Sequence, residues 1–318
     1  RDSLSRPIAD VMKTSSQVIF YEEGSSPFLF ETYSSVIQDF EAESARISTA
    51  QPDYSLADKH FMHNHKFDSF IYEHLSVLLG RMRPGSLPAN IKSSKSTIAF
   101  FSSSPDEFFA IREDDGFLGN ISNQGSFCLE LARKCKSKDL QLIVRLHPHL
   151  QIKHPSWQDE WDFPRLRRLG AVIVMPDSEF DSYKIMELSS LVITAGSTVA
   201  VEAAYRGLPA LSIRRSLDIS LGCSYAFESF DQIFNLLTSP SVPTLAKSQA
   251  ARFACYYTSF GRQIKDLTKS RYYFKLAGRR VSPSLSLVLF TKSILLKTIL
   301  LVNFIPRFRS LFLPCQQR

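Results

Sequence analysis

LVITAGSTVAVEAAYRGLPALSI, residues 191–213, is the stretch that decides the fold class. An apolar run ending at Thr194 has the length of a buried strand. Gly196 permits a tight turn, and Ser197 and Thr198 then open a helix. Gly207 terminates that helix and Pro209 begins a second strand. Backbone N–H groups at a helix start favour an anion, and two hydroxyls add donors. Glu202 lies four residues beyond Thr198, about one helical turn on, within reach of a ribose hydroxyl. The same residues also suit plain structure, with Ser197 an N-cap and Glu202 a surface carboxylate.

Outward from this stretch the rhythm repeats. Short apolar runs stand at 97–101, 140–146 and 171–175, and helix-like segments at 124–136, 182–189 and 198–206. Strand alternating with helix is the pattern of a parallel sheet covered on both faces, so residues 95–238 read as one doubly wound α/β domain. Such sheets bind ligands beyond the carboxyl ends of their strands. Residues 142–150, LIVRLHPHL, deliver Arg145 and His147 to such an end. His147 suits hydrogen bonding or proton donation to a leaving phosphate. Arg145 suits either the donor or a structural ion pair.

Upstream, QVIFY at 17–21 reads as a strand, 68–79 carries helical periodicity, and 83–96, with two prolines and several serines, reads as a linker. Residues 18–27, VIFYEEGSSP, place Glu22 and Glu23 at a strand end, where a carboxylate can take a proton from an acceptor hydroxyl. A solvated turn is the plainer alternative. His60, His63 and His65, with Asp58 nearby, space like metal ligands, but no further ligand completes the set and no metal is expected.

A hydrophobic content of 44% argues against general disorder. Five scattered cysteines, without a CxxC pair, argue against a disulfide framework or zinc site and favour a reducing compartment. The net charge of +7 is concentrated: from Leu267 onward there are ten basic residues and no acidic one, leaving 28 basic and 31 acidic residues before it. Residues 248–266 look helical. Residues 282–305 are strongly apolar but interrupted by Lys292 and Lys297, which fits an interfacial amphipathic segment better than a spanning helix. Long aliphatic runs fit lipid better than nucleic acid.

FFSSSPDEFFAI at 100–111, RLHPHL at 145–150 and ITAGSTVAVEAAYRGLPAL at 193–211 together resemble bacterial capsular-polysaccharide and lipopolysaccharide glycosyltransferases of GT-B fold. The order acidic–acidic–Gly, His–Pro, Ser–Thr is similar to that of bacterial sialyltransferases and polysialyltransferases, and capsular Kdo transferases share a related layout. The resemblance implies two facing Rossmann-like lobes: a short or truncated acceptor-side lobe over 1–94, a nucleotide-sugar donor lobe over 95–245, and a helical, basic tail over 246–318. It implies Glu23 as catalytic base with Glu22 beside it, His147 assisting departure of the nucleotide, Ser197 and Thr198 holding the donor phosphate, and Glu202 on the ribose. Asp115, in the rival acidic set Glu113–Asp114–Asp115–Gly116, is the acidic alternative.

The expected reaction is inverting transfer of a sialic acid-like or Kdo-like sugar from a CMP-linked donor to a surface glycan or glycolipid, without metal or other cofactor. The expected place is the cytoplasmic face of the plasma membrane, held peripherally by the tail on anionic lipid. The alternatives are a CDP-polyol transferase and a non-catalytic glycan-assembly subunit with a degenerate lobe.

Overall fold

Thr-Ile-Ala-Phe-Phe at Thr97–Phe101 is buried at all five positions, which only a central strand covered on both faces requires. In the computed structural model this strand, β3, lies in the middle of a six-stranded sheet. The structure describes residues 20–23, 29–33, 39–62, 83–91, 94–104, 116–259, 262–263, 267–270, 273–276 and 279–280. The expected helix at 68–79 and the apolar segment at 282–305 lie outside them.

The other strands of the sheet are β4 (Gln141–Arg145), β5 (Val172–Val174), β6 (Leu191–Thr194), β7 (Ala210–Ser212) and β8 (Tyr225–Ala226). Their order is β5-β4-β3-β6-β7-β8, and every pairing is parallel. The fold class is therefore α/β. The chain runs outward from β3 through β4 to β5, then crosses back to β6 and runs outward the other way. The strand order thus reverses between β3 and β6, which makes the carboxyl ends of those two strands the topological switch point.

One face carries the helix Gln124–Ser137 (α3), with Phe127, Leu131 and Cys135 against Ile98, Phe100, Leu142 and Val144. Asn123 caps it by accepting the Ser126 N–H at 2.7 Å, and Glu160 accepts the Gln124 N–H at 2.6 Å. Gly125 is required here: a methyl group on it would lie 1.8 Å from the Glu160 carbonyl oxygen. The helices Phe163–Arg168 (α4) and Phe230–Thr238 (α8) bury Leu166, Ile233 and Phe234 in the same cluster. The opposite face carries Ser182–Glu187 (α5) and Val199–Tyr205 (α6), with Ile185, Met186, Ala200 and Ala203 against Ala99, Ile143 and Val192.

Three sequence expectations are corrected. The helices Phe40–Ser48 (α1) and Tyr54–Met62 (α2) belong with the sheet domain rather than with a separate lobe over 1–94. Ile47, Ala57 and Phe61 share a core with Val201, Ala204 and Tyr205, and with Ala250, Phe253 and Ala254 of the helix Ala246–Ser259 (α9). Tyr205 donates to Asp58 at 2.6 Å and Arg252 donates to the Ser48 carbonyl at 2.8 Å. A search for alternating strand and helix cannot detect such a helix cluster, because its apolar partners lie about 200 residues away. The 83–96 stretch is likewise no free linker at its start. Gly85 N–H donates to the Asp181 carboxylate at 2.8 Å, and the Ser86 carbonyl accepts from Asp181 N–H at 3.0 Å.

The third correction concerns the tail. Its first part is helical, as α9, but Leu267–Ser270, Tyr273–Leu276 and Arg279–Arg280 are antiparallel strands. Thr268, Tyr273 and Phe274 are strand formers, and cross-strand pairing outweighs the modest helix preference of the intervening lysines. By contacts the described residues fall into two compact units, one within Arg1–Tyr21 and Thr32–Phe260, the other within Glu22–Glu31 and Gly261–Arg318. The second unit contains these strands and the antiparallel pairing of Leu29 and Phe30, in the strand Leu29–Tyr33 (β2), with Gln263 and Arg262. No helix among the described residues is long and apolar enough to cross a membrane.

Candidate functional site

β3, β4 and β6 end side by side, and the loops beyond their carboxyl ends form the site. β3 runs into Ser102, Ser103 and Ser104, all buried. β4 runs into Leu146 and His147, and β6 into Ala195, Gly196, Ser197 and Thr198. The serines tie the flanking loops to the middle strand. Ser102 Oγ accepts the His147 N–H at 2.8 Å, and Ser103 Oγ donates to the Ala195 carbonyl at 3.0 Å. Gln124 clasps Ser103 from beneath: its Oε1 accepts Ser103 N–H at 3.0 Å and its Nε2 donates to Ser103 C=O at 3.2 Å. The sequence contained these serines within the quoted motif but offered no sign of a bridging role. That role exists only because β3 lies between β4 and β6.

His147 is half-buried and stands at the start of a short 3-10 turn, Pro148–Ile152. Its Nδ1 accepts the His149 N–H at 3.2 Å, and the two rings meet edge to face at 5.1 Å. With Nδ1 an acceptor, the neutral imidazole carries its proton on Nε2 and presents a donor there. A donor is the polarity needed to meet a departing phosphate.

Gly196 adopts φ +85°, the conformation the tight turn required. Ser197 Oγ accepts the Val199 N–H at 3.4 Å, a weak ST-turn. Thr198, exposed at the N-cap position of α6, makes no side-chain capping bond. α6 has only seven residues, so its dipole adds less than the sequence suggested. The two hydroxyls and the turn amides are the donors this turn offers an anion.

Glu202, on the first turn of α6, meets Tyr183 of α5, a partner the sequence did not reveal. Burial pushes its carboxyl up to about 7, opposed by the Arg206 charge and by a hydrogen bond from Tyr183. Burial first, then the Glu202 charge, raises the Tyr183 phenol above its ordinary value. Arg206 lies 5.2 Å over the Tyr183 ring. Between its ordinary value of 4.5 and about 7, the folded protein binds a proton at Glu202 that the unfolded chain has released. Stability at this group is therefore present below that window and declines as pH rises through it. Glu202→Gln removes the penalty, so its urea unfolding free energy, relative to the parent, should be higher at pH 8 than at pH 5. The ceiling is about 3 kcal/mol, lowered by the part of the carboxylate that meets solvent. An equal difference at both pH values would refute this account of Glu202.

Arg145 points into the domain. Its side chain is buried, with Nη1 donating to the Met175 carbonyl at 2.6 Å and Nε to Ser182 Oγ at 3.1 Å. Burial lowers its pKa to about 10, offset in part by Asp177, so it stays charged. It tethers the loop after β5. Glu22 and Glu23 lie in the strand Phe20–Glu23 (β1), in the second unit. Asp115 lies outside the described residues, as do His63 and His65. His60 packs edge-on against Phe61 at 4.9 Å, and burial lowers its pKa.

No family model and no curated protein matches the chain. Among solved structures it is similar to the KpsC β-Kdo 2,7-transferase of Thermosulfurimonas dismutans, at 15% identity and TM-score 0.36, over 84% of this chain and 74% of that one. It is also similar to the UDP-GlcNAc 2-epimerase of Neisseria meningitidis bound to UDP-GlcNAc, at 13% identity and TM-score 0.32, over 53% and 44%. A third likeness is to the wall teichoic acid polymerase TagF, at 13% identity and TM-score 0.30, over 67% and 48%. The chain spans about half the length of the 2-epimerase structures it matches.

Proposed function

We propose that the chain is a GT-B-type glycosyltransferase, moving a sialic acid-like or Kdo-like sugar with inversion from a CMP-linked donor to a surface glycan or glycolipid. The observation that carries it is the switch point, where His147 after β4 and the Gly196–Ser197–Thr198 turn after β6 flank the serine-lined end of β3. The acceptor oxygen attacks the anomeric carbon as the bond from that carbon to the phosphate oxygen breaks. Ser197, Thr198 and the turn amides hold the phosphate. His147 Nε2–H stabilises charge growing on it, an electrostatic contribution that is often the largest in catalysis. Glu202 meets the ribose, and Glu23 takes the acceptor proton. These donors take the place of a metal or other cofactor.

Calorimetry with CMP, CDP, UDP and GDP tests the donor site. CMP should bind best, and Ser197→Ala should weaken it about fivefold, the worth of one neutral hydrogen bond. Binding of none of the four, or equal CMP affinity in Ser197→Ala and His147→Ala variants, would remove the donor reading.

The basic, aliphatic stretch from Leu267 is proposed to hold the enzyme on anionic lipid at the cytoplasmic membrane face. Each Lys or Arg near such a surface contributes about 1 kcal/mol and is screened by salt. Co-sedimentation should be strong with anionic vesicles, weak with neutral ones, and reduced by salt. Equal sedimentation after deletion of 267–318 would exclude the tail as the anchor.

A further inference from the structure

Beneath the turn after β6 lies a buried carboxylate to which no role has yet been given. Asp218 is 3% exposed and belongs to the short helix Leu217–Ser220 (α7). It accepts from Ser212 Oγ and, at 2.6 Å, from Ser224 Oγ. Ser212, the last residue of β7, is paired through its hydroxyl with Thr194 Oγ1, at the end of β6, at 2.9 Å. Thr194 Oγ1 in turn accepts the Gly196 N–H at 3.4 Å. Thr194 and Ser212 are fully buried.

We infer that Asp218 is a positioning residue for the Gly196–Ser197–Thr198 turn, acting through Ser212 and Thr194. A serine or threonine hydroxyl has one proton and can point it either way. A carboxylate at one end of such a chain removes that freedom. Ser212 donates to Asp218, and although burial raises this carboxyl's pKa, hydrogen bonds from Ser212, Ser216 and Ser224 favour its charged, accept-only form. Ser212 then accepts from Thr194, and Thr194 is left with lone pairs for the Gly196 amide. Every bond in the row runs toward Asp218, and each polarises the next. The opposite side of the turn is held independently, by Ser103 Oγ on the Ala195 carbonyl. The turn is thus fixed at a carbonyl and at the following amide before any ligand arrives. That matters for a group meant to meet a phosphate, because preorganised donors lose no energy to reorientation. The purpose assigned to the turn rests on the donor-site proposal; the coupling of Asp218 to Gly196 does not.

Asp218→Asn tests the polarity while keeping the shape. The amide NH2 can donate to Ser212, which turns the row around: Thr194 then accepts from Ser212, and its own proton, deprived of that acceptor, competes with the Gly196 N–H for the remaining side of the oxygen. Amide hydrogen exchange at Gly196, read by NMR, should then accelerate about five- to tenfold. Amides of β3 and β4 should keep their rates, which separates a local effect from loss of overall stability. Thr194→Val should give a similar acceleration, and Asp218→Asn should add nothing further in that background. Unchanged Gly196 exchange in Asp218→Asn, or additive effects in the double variant, would overturn the inference. Should Asp218→Asn fail to fold, Ser212→Ala and Thr194→Val carry the test, since both leave Ser224 on the carboxylate. CMP affinity in the same variants separates the two proposals. Coupled exchange in a protein that binds no CMP would remove the donor site and leave the positioning role standing. CMP binding with unaltered exchange would do the reverse.

Discussion

His147→Ala should lower sugar transfer by about 100- to 10,000-fold at matched thermal stability. Removing the ring costs the cap on the His149 N–H and the edge contact with the His149 ring, which is why thermal stability must be matched. The His147 backbone N–H remains on Ser102 Oγ, and the strand before it is buried and continuous. What disappears is a donor whose polarity was set by His149 N–H on Nδ1. A donor facing a leaving phosphate gains strength as negative charge moves onto that phosphate, so the loss should fall on kcat and not on KM alone. His147→Asn, which keeps a donor of shorter reach, should recover part of the rate. Near-normal turnover in the alanine variant would take His147 out of the mechanism, whatever the fate of the nucleotide site.

Glu23→Gln should be comparably severe, about 100- to 10,000-fold, because an amide of the same size cannot accept the acceptor's proton. Glu22→Gln and Asp115→Asn are the informative comparisons. The resemblance assigns the base to Glu23 with Glu22 beside it, so only Glu23 is expected to take the proton. Asp115 comes after the end of β3 in the chain and suits a loop on the donor side. Glu23→Gln should therefore stand apart from the other two, measured as kcat with a saturating donor. If Asp115→Asn were the crippling change, the base would belong to the rival acidic set.

The central domain was legible because its information is local. β3 and β6 fall on the residues expected from apolar runs, and α3 starts at the expected residue. Period and punctuation define such elements without reference to the rest of the chain. The turn at Gly196 was legible for the same reason: a glycine between a strand and a helix start has few other uses. Helices α1 and α2 were not assigned, because their short apolar stripes become meaningful only against α6 and α9. The strands within 267–280 are not legible in the tail's basic composition, because the cross-strand pairing that forms them is not a local signal.

The sequence by itself determined the α/β class, five of the six strands of the sheet, and that His147 and Ser197 each come after a strand's carboxyl end. Local pattern is sufficient for this, since burial on both faces demands apolar runs whatever their neighbours. Tertiary structure alone decided the rest of the site. Strand order brought the ends of β4 and β6 to either side of β3, so that two ordinary serines, Ser102 and Ser103, became the bridge between them. It committed Arg145 to Met175 and Ser182, set Tyr183 against Glu202, and placed Asp218 under the turn through Ser212 and Thr194. Each of these is a hydrogen bond between residues on different elements. Its partner is chosen by which strands lie side by side, and no residue type or spacing within one element encodes that choice.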